Sequence, residues 1–164
     1  MTAPAPHRES GFRFLFRTEQ GKIDRATWWR GMALILAPIA AFYLGWRALT
    51  FALMRVNLSG GLEHAASALA YLYLLAFGFA ILLGAICYYN LSAKRFRDRG
   101  LPAYLAGLVL VAALIAAAAH WLQPLMQGDE PVYVPLIFDA LTLILAAWTV
   151  AELGTRAGIE EQGQ

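Results

Sequence analysis

The sequence predicts an all-α polytopic membrane protein: a four-transmembrane-helix bundle with a short N-terminal amphipathic segment. Three observations predict it. Hydrophobic residues make up 60% of the 164 residues and charged residues 15%, where soluble domains have about 45–50% and about 25%. Mean hydropathy is +0.54, and a soluble domain of this size buries too small a fraction of its surface to hide that much apolar area. The apolar residues also fall into four runs, each near or above the roughly 20 residues that cross a hydrocarbon core of about 30 Å. These features argue against a soluble domain, a disordered chain and a disulfide scaffold. The single cysteine, Cys87, excludes an intramolecular disulfide and any CxxC motif. It lies in an apolar run and reads as a small buried hydrophobe.

The elements follow in order. Residues 1–27 form a tail whose segment Gly11-Phe12-Arg13-Phe14-Leu15-Phe16-Arg17 alternates aromatic and basic side chains. Aromatics suit the headgroup zone and cations suit lipid phosphates, so this segment reads as lying on the membrane surface. The transmembrane domain covers 28–153, with spans expected at 28–53, 65–91, 102–122 and 132–153. Arg30 and Arg47 bracket the uncharged centre of the first span, and both side chains are long enough to reach an interface. Pro38 lies within it, as a kink or simply accommodated. Gly60-Gly61 separates the first two spans. Gly100 followed by Pro102 ends one helix and starts the next. Gly128-Asp129-Glu130-Pro131 separates the last two, and residues 154–164 are a second tail. The first apolar run starts too late and runs too long for a secretory signal peptide, so it reads as an uncleaved span.

Charge distribution orients the chain. Arg8, Arg13, Arg17, Lys22, Arg25, Arg30, Lys94, Arg95, Arg97, Arg99 and Arg156 fall on one side; Arg47 and Arg55 fall on the other, whose second loop is acidic. Both termini are therefore expected in the cytoplasm.

Two basic segments are the main functional candidates. The first is Gly21-Lys22-Ile23-Asp24-Arg25-Ala26-Thr27-Trp28-Trp29-Arg30, at the entry to span one. The second, Ser92-Ala93-Lys94-Arg95-Phe96-Arg97-Asp98-Arg99-Gly100, holds the densest charge in the chain and extends span two as a helix. On that helix Lys94 and Arg95 lie four and three residues before Asp98, so either can pair with it. Lys22, Arg25, Trp28, Trp29, Lys94, Arg95, Arg97 and Arg99 are expected to contact anionic lipid or a partner, with Asp24 and Asp98 as built-in counterions.

Together these two segments resemble the bacterial inner-membrane "domain of unknown function 805" family. Its members share a Phe-rich start, a Gly-Arg-x-x-Arg-x-x-Phe/Tyr-Trp entry to the first span and an Arg-Leu-His-Asp-x-Gly motif. Gly21, Lys22, Arg25 and Trp29 match the first motif, and Arg95, Asp98 and Gly100 match the second. Arg97 stands where the family usually has His, and Tyr104 roughly where it has Trp. A proton-transfer role for that His would not carry over to this chain. The resemblance covers about Phe12 to the end of span four. It implies the four-span architecture and an inner-membrane location, and no particular activity.

Within the membrane, Asp139 stands out. A carboxylate at the centre of a span costs about 2.5–3.5 kcal/mol on insertion scales, and such residues usually face a partner. Asp139 lies about 10 Å from the outer end of span four, at about 1.5 Å per residue. Arg47 lies at a similar depth, so an Arg47–Asp139 pair is expected, with His120 able to join it. Glu152 is expected to meet interfacial water or the Arg95–Arg99 cluster. His7 and His64 read as interfacial or solvent-exposed.

The sequence holds no HExxH, GxSxG, Walker A or Cys/His ligand set, so no catalytic residue, metal ligand or cofactor is assigned. The basic patches with their aromatics suit a membrane interface better than nucleic acid. The leading expectation is a non-enzymatic membrane interaction protein: an accessory subunit, scaffold or lipid-associated factor, within a larger complex or a homo-oligomer. A small oligomeric transporter or channel using Asp139 is the alternative. A lipid-modifying enzyme built on the Arg/Asp cluster ranks third.

Overall fold

The computed structural model describes residues 11–18, 20–53, 61–123 and 133–158. His7, Arg8, Arg55, Gly60 and residues 128–131 lie outside these residues. Helix α1 spans Phe12–Phe16, α2 Arg25–Leu53, α3 Gly61–Asp98, α4 Gly107–Leu122 and α5 Tyr133–Val150. A 3₁₀ turn at Ala103–Ala106 leads into α4, and a π-helical turn at Ala151–Thr155 ends α5. The described residues contain no strand. Four of the helices are long and apolar enough to cross a membrane.

Local chemistry sets the ends. Asp24 is the N-cap of α2: its Oδ1 accepts from the Thr27 N–H at 3.0 Å and its carbonyl accepts from the Trp28 N–H at 3.1 Å. The first span therefore begins at Arg25, three residues before the boundary expected at 28. Pro38 is accommodated inside the continuous α2. Helix α3 is capped by Gly100, two residues past its end, whose φ of +71° is left-handed. The Gly100 N–H donates to the Arg97 carbonyl at 3.0 Å and the Leu101 N–H to the Phe96 carbonyl at 2.8 Å. This is a Schellman cap, and glycine is the residue that adopts its φ without strain. Pro102 follows and starts the next helical segment in an extended conformation.

The 38 residues of α3 extend about 57 Å at about 1.5 Å per residue, well beyond a hydrocarbon core of about 30 Å. Its last two turns are therefore available to build structure outside the bilayer. The hydrophobic core is centred there: Phe16, Ile23, Trp28, Leu91, Ala93, Phe96, Ala106 and Leu153 are buried together, and Ile35 extends the cluster into α2. Along the spans, by contrast, large apolar side chains such as Leu44, Leu72, Leu83, Leu114 and Leu143 are exposed. The contrast has a physical cause. Water drives apolar burial, whereas lipid tails are as apolar as leucine and supply no such drive.

The spans associate as two hairpins, α2 with α3 and α4 with α5, and the hairpins are tied together chiefly through this core end by the 3₁₀ and π turns. Small residues allow the close approaches. A Cβ on Gly84 of α3 would fall 2.8 Å from Ile39 Cδ1 of α2. Further along, the Tyr73 hydroxyl donates to the Phe42 carbonyl at 2.5 Å across the same hairpin. Cys87 is half-buried and packs against the core.

Candidate functional site

The helical basic segment on α3 forms the centre of the site. Its side chains meet two helix ends that present carbonyls. The last four carbonyls of a helix have no partner within it, and that end carries partial negative charge. Cationic donors satisfy both needs.

Lys94 serves the end of α1. Its ammonium donates to the Leu15 carbonyl at 3.0 Å and to the carbonyls of Phe14 and Thr18. It also sits 4.9 Å from the centroid of the Phe14 ring, a cation–π geometry. Asn90 Nδ2, one turn back on α3, donates to the Phe16 carbonyl at 2.7 Å.

Arg95 serves the end of α5. Its Nε donates to the Leu153 carbonyl at 3.1 Å and its Nη2 to the Arg156 carbonyl at 2.7 Å. Its Nη1 reaches the Ile23 carbonyl at 3.4 Å and the Asp98 carboxylate. One guanidinium thus joins the approach to α2, helix α3 and the C-terminal segment. Its planar fork of donors makes this possible, and a lysine has no equivalent.

Neighbouring side chains extend the contact. Trp29 Nε1 donates to the Gly154 carbonyl at 3.0 Å, and Arg25 Nη1 to the Thr155 carbonyl at 3.3 Å. Arg99 Nη1 donates to the Ala157 carbonyl. Arg99 Nη2 lies 3.1 Å from Glu152 Oε1, whose other oxygen is 2.7 Å from Arg156. Five consecutive carbonyls, 153–157, are therefore held by side chains of α2, of α3 and of Arg99 just beyond it. Trp28 completes the floor: its Nε1 donates to Ser92 Oγ at 3.4 Å, and its ring meets that of Trp29 edge-on at 5.0 Å.

Several expectations are corrected by this arrangement. Trp28, Lys94 and Arg95 are each 0% exposed, so they do not meet lipid or a partner; they hold the protein's own helix ends. Arg99 is largely buried against Glu152. Residues 154–158, expected to belong to a tail, are bound to the site, with Gly154 and Gly158 buried. Asp98 does pair with α3's own cation, and the partner is Arg95. Asp24 acts as a helix cap. Glu152 meets the arginine cluster, as expected. Lys22, Arg25 and Trp29 are exposed and Arg97 is half-buried.

The expected Arg47–Asp139 pair is also corrected. Asp139 Oδ2 lies 2.8 Å from His120 Nε2, and Arg47 makes no ion pair with it. His120 and Asp139 belong to the same tightly packed hairpin, whereas Arg47 is on α2 in the other one. His64 is exposed.

Sequence reasoning missed the carbonyls of 153–157 because backbone acceptors leave no residue-type signature. A weak signal existed in the glycines that follow span four. A Cβ on Gly154 would fall 2.7 Å from Trp29 Cζ2 and 3.1 Å from Trp28 Cζ3. Gly154→Ala is accordingly expected to destabilise the protein by about 1–3 kcal/mol, the usual range for overpacking. Detergent-titration unfolding followed by tryptophan fluorescence would read the loss, and an unchanged midpoint would refute the close packing.

Comparison with family models, with curated proteins and with solved structures finds no match to this chain. Among the described residues no three of His, Cys, Asp and Glu are grouped as a metal site would require.

Proposed function

We propose that the chain is a non-enzymatic interaction protein of the bacterial inner membrane, a member of the family that its two basic segments resemble. Its termini face the cytoplasm, and its basic end contacts anionic lipid. One observation carries this reading. After the core has taken up Lys94, Arg95 and Arg99, the same end still exposes Arg13, Arg17, Lys22, Arg25 and Arg30, together with Phe12 and Trp29. Cations beside exposed aromatics suit the headgroup zone of an anionic leaflet.

The buried part of the basic cluster supports a structural rather than a catalytic role. Its donors are directed at backbone carbonyls and at two carboxylates of the same chain. The arginine-based enzyme reading would need those donors turned toward a substrate.

The test is lipid retention. The full chain, placed in nanodiscs of mixed phosphatidylglycerol and phosphatidylcholine, is released and weighed intact with its bound lipids. Phosphatidylglycerol is expected to be retained in preference. Arg13→Gln with Arg17→Gln and Arg30→Gln should weaken that preference by about fivefold per charge, since each surface cation contributes about 1 kcal/mol. Equal retention of both lipids by the unaltered chain would overturn the reading.

A further inference from the structure

On the α4–α5 hairpin a histidine and an aspartate meet among exposed apolar side chains. His120 and Asp139 lie 2.8 Å apart, yet their side chains remain 51% and 40% exposed. Asp139 is six residues inside the first described residue of α5, about 9 Å at about 1.5 Å per residue. The neighbours on its stripe, Leu136 at i−3 and Leu143 at i+4, are both exposed. On α4, the exposed Ala117 lies three residues before His120.

The internal pair leaves hydrogen-bonding capacity unused. Asp139 uses Oδ2 and His120 uses Nε2, and among the described residues neither side chain makes a second hydrogen bond. Carboxylate Oδ1 and imidazole Nδ1 remain available to something outside the chain. An acyl chain offers no hydrogen bond, so lipid contact at this point is unfavourable.

We propose that this face of the α4–α5 hairpin binds a second copy of this chain, His120 of each copy meeting Asp139 of the other. The pair is its own complement. An interface with two-fold symmetry needs a patch that offers both a donor and an acceptor to itself. His120 beside Asp139 is such a patch, and two of them close a ring of alternating imidazole and carboxylate groups. The small side chain of Ala117 leaves room for the helices to approach. This interface lies at the opposite end of α4 and α5 from the basic core and does not depend on the lipid reading.

The full chain, labelled with one dye per copy and reconstituted in vesicles at low protein-to-lipid ratios, is counted by single-molecule photobleaching. Two-step bleaching is expected to dominate as the ratio rises. Asp139→Leu should weaken dimerisation by about tenfold or more, since interhelical hydrogen bonds contribute about 0.6–2 kcal/mol each and two symmetric ones are lost. Ala117→Trp leaves the internal pair intact and adds bulk to an outward-facing position. It should weaken dimerisation as well, and it guards against Asp139→Leu acting through misfolding. One-step bleaching of the unaltered chain at every ratio would overturn the proposal. So would dimerisation of both variants at the unaltered level.

Discussion

Arg95→Leu is expected to lower stability by about 3–5 kcal/mol, the cost of removing one partner from a buried ion pair. The loss has two parts. The carboxylate of Asp98, 6% exposed, would be left without its paired guanidinium. The carbonyls of Leu153 and Arg156 would lose donors at 3.1 and 2.7 Å, and each buried acceptor left unmade costs about 1–3 kcal/mol. Arg95→Lys should restore only part of the loss. An ammonium keeps the charge near Asp98 but cannot span Ile23, Leu153 and Arg156 at once. Unfolding midpoints in mixed detergent micelles would separate the three proteins. If Arg95→Lys matched the unaltered chain, the fork geometry would be irrelevant and charge alone would explain the residue.

Trp28→Ala should have a similar effect, about 3–5 kcal/mol. Trp28 is 0% exposed and lies in the hydrophobic core cluster. Its loss would open a cavity beneath Gly154 and beside Leu91 and Ser92. Trp28→Phe should recover most of that stability. It would lack chiefly the 3.4 Å bond to Ser92, worth about 1 kcal/mol. The same core joins the two hairpins, so Trp28→Ala should also loosen them. Limited proteolysis near Thr155 would report this as faster cleavage. Unchanged cleavage together with an unchanged unfolding midpoint would show that the core is not what ties the hairpins.

These two residues show why the motif Ser92–Gly100 is dense in charge. The charged side chains of Lys94, Arg95 and Arg99 pass inward and cap chain ends. Their positive charge is balanced by Asp98, by Glu152 and by the negative carbonyl ends of α1 and α5. The segment forms the last turns of α3, and the other elements assemble around them.

The amino-acid sequence by itself determined the helical class and the four apolar spans. Spans of about 20 apolar residues must satisfy their backbone internally, so composition and run length are enough. It also determined the cap at Gly100, because a glycine before Leu101-Pro102 is a local signal. The tertiary structure alone decided which charges face outward. Lys22 and Lys94 are both lysines in basic motifs, yet one is exposed and the other is buried among carbonyls of residues far along the chain. It likewise decided that Asp139 meets His120 instead of Arg47. A carboxylate can accept from any nearby donor, and depth along a span says nothing about which helix is adjacent. Pairing depends on which hairpin each residue joins, and that is settled by contacts between helices.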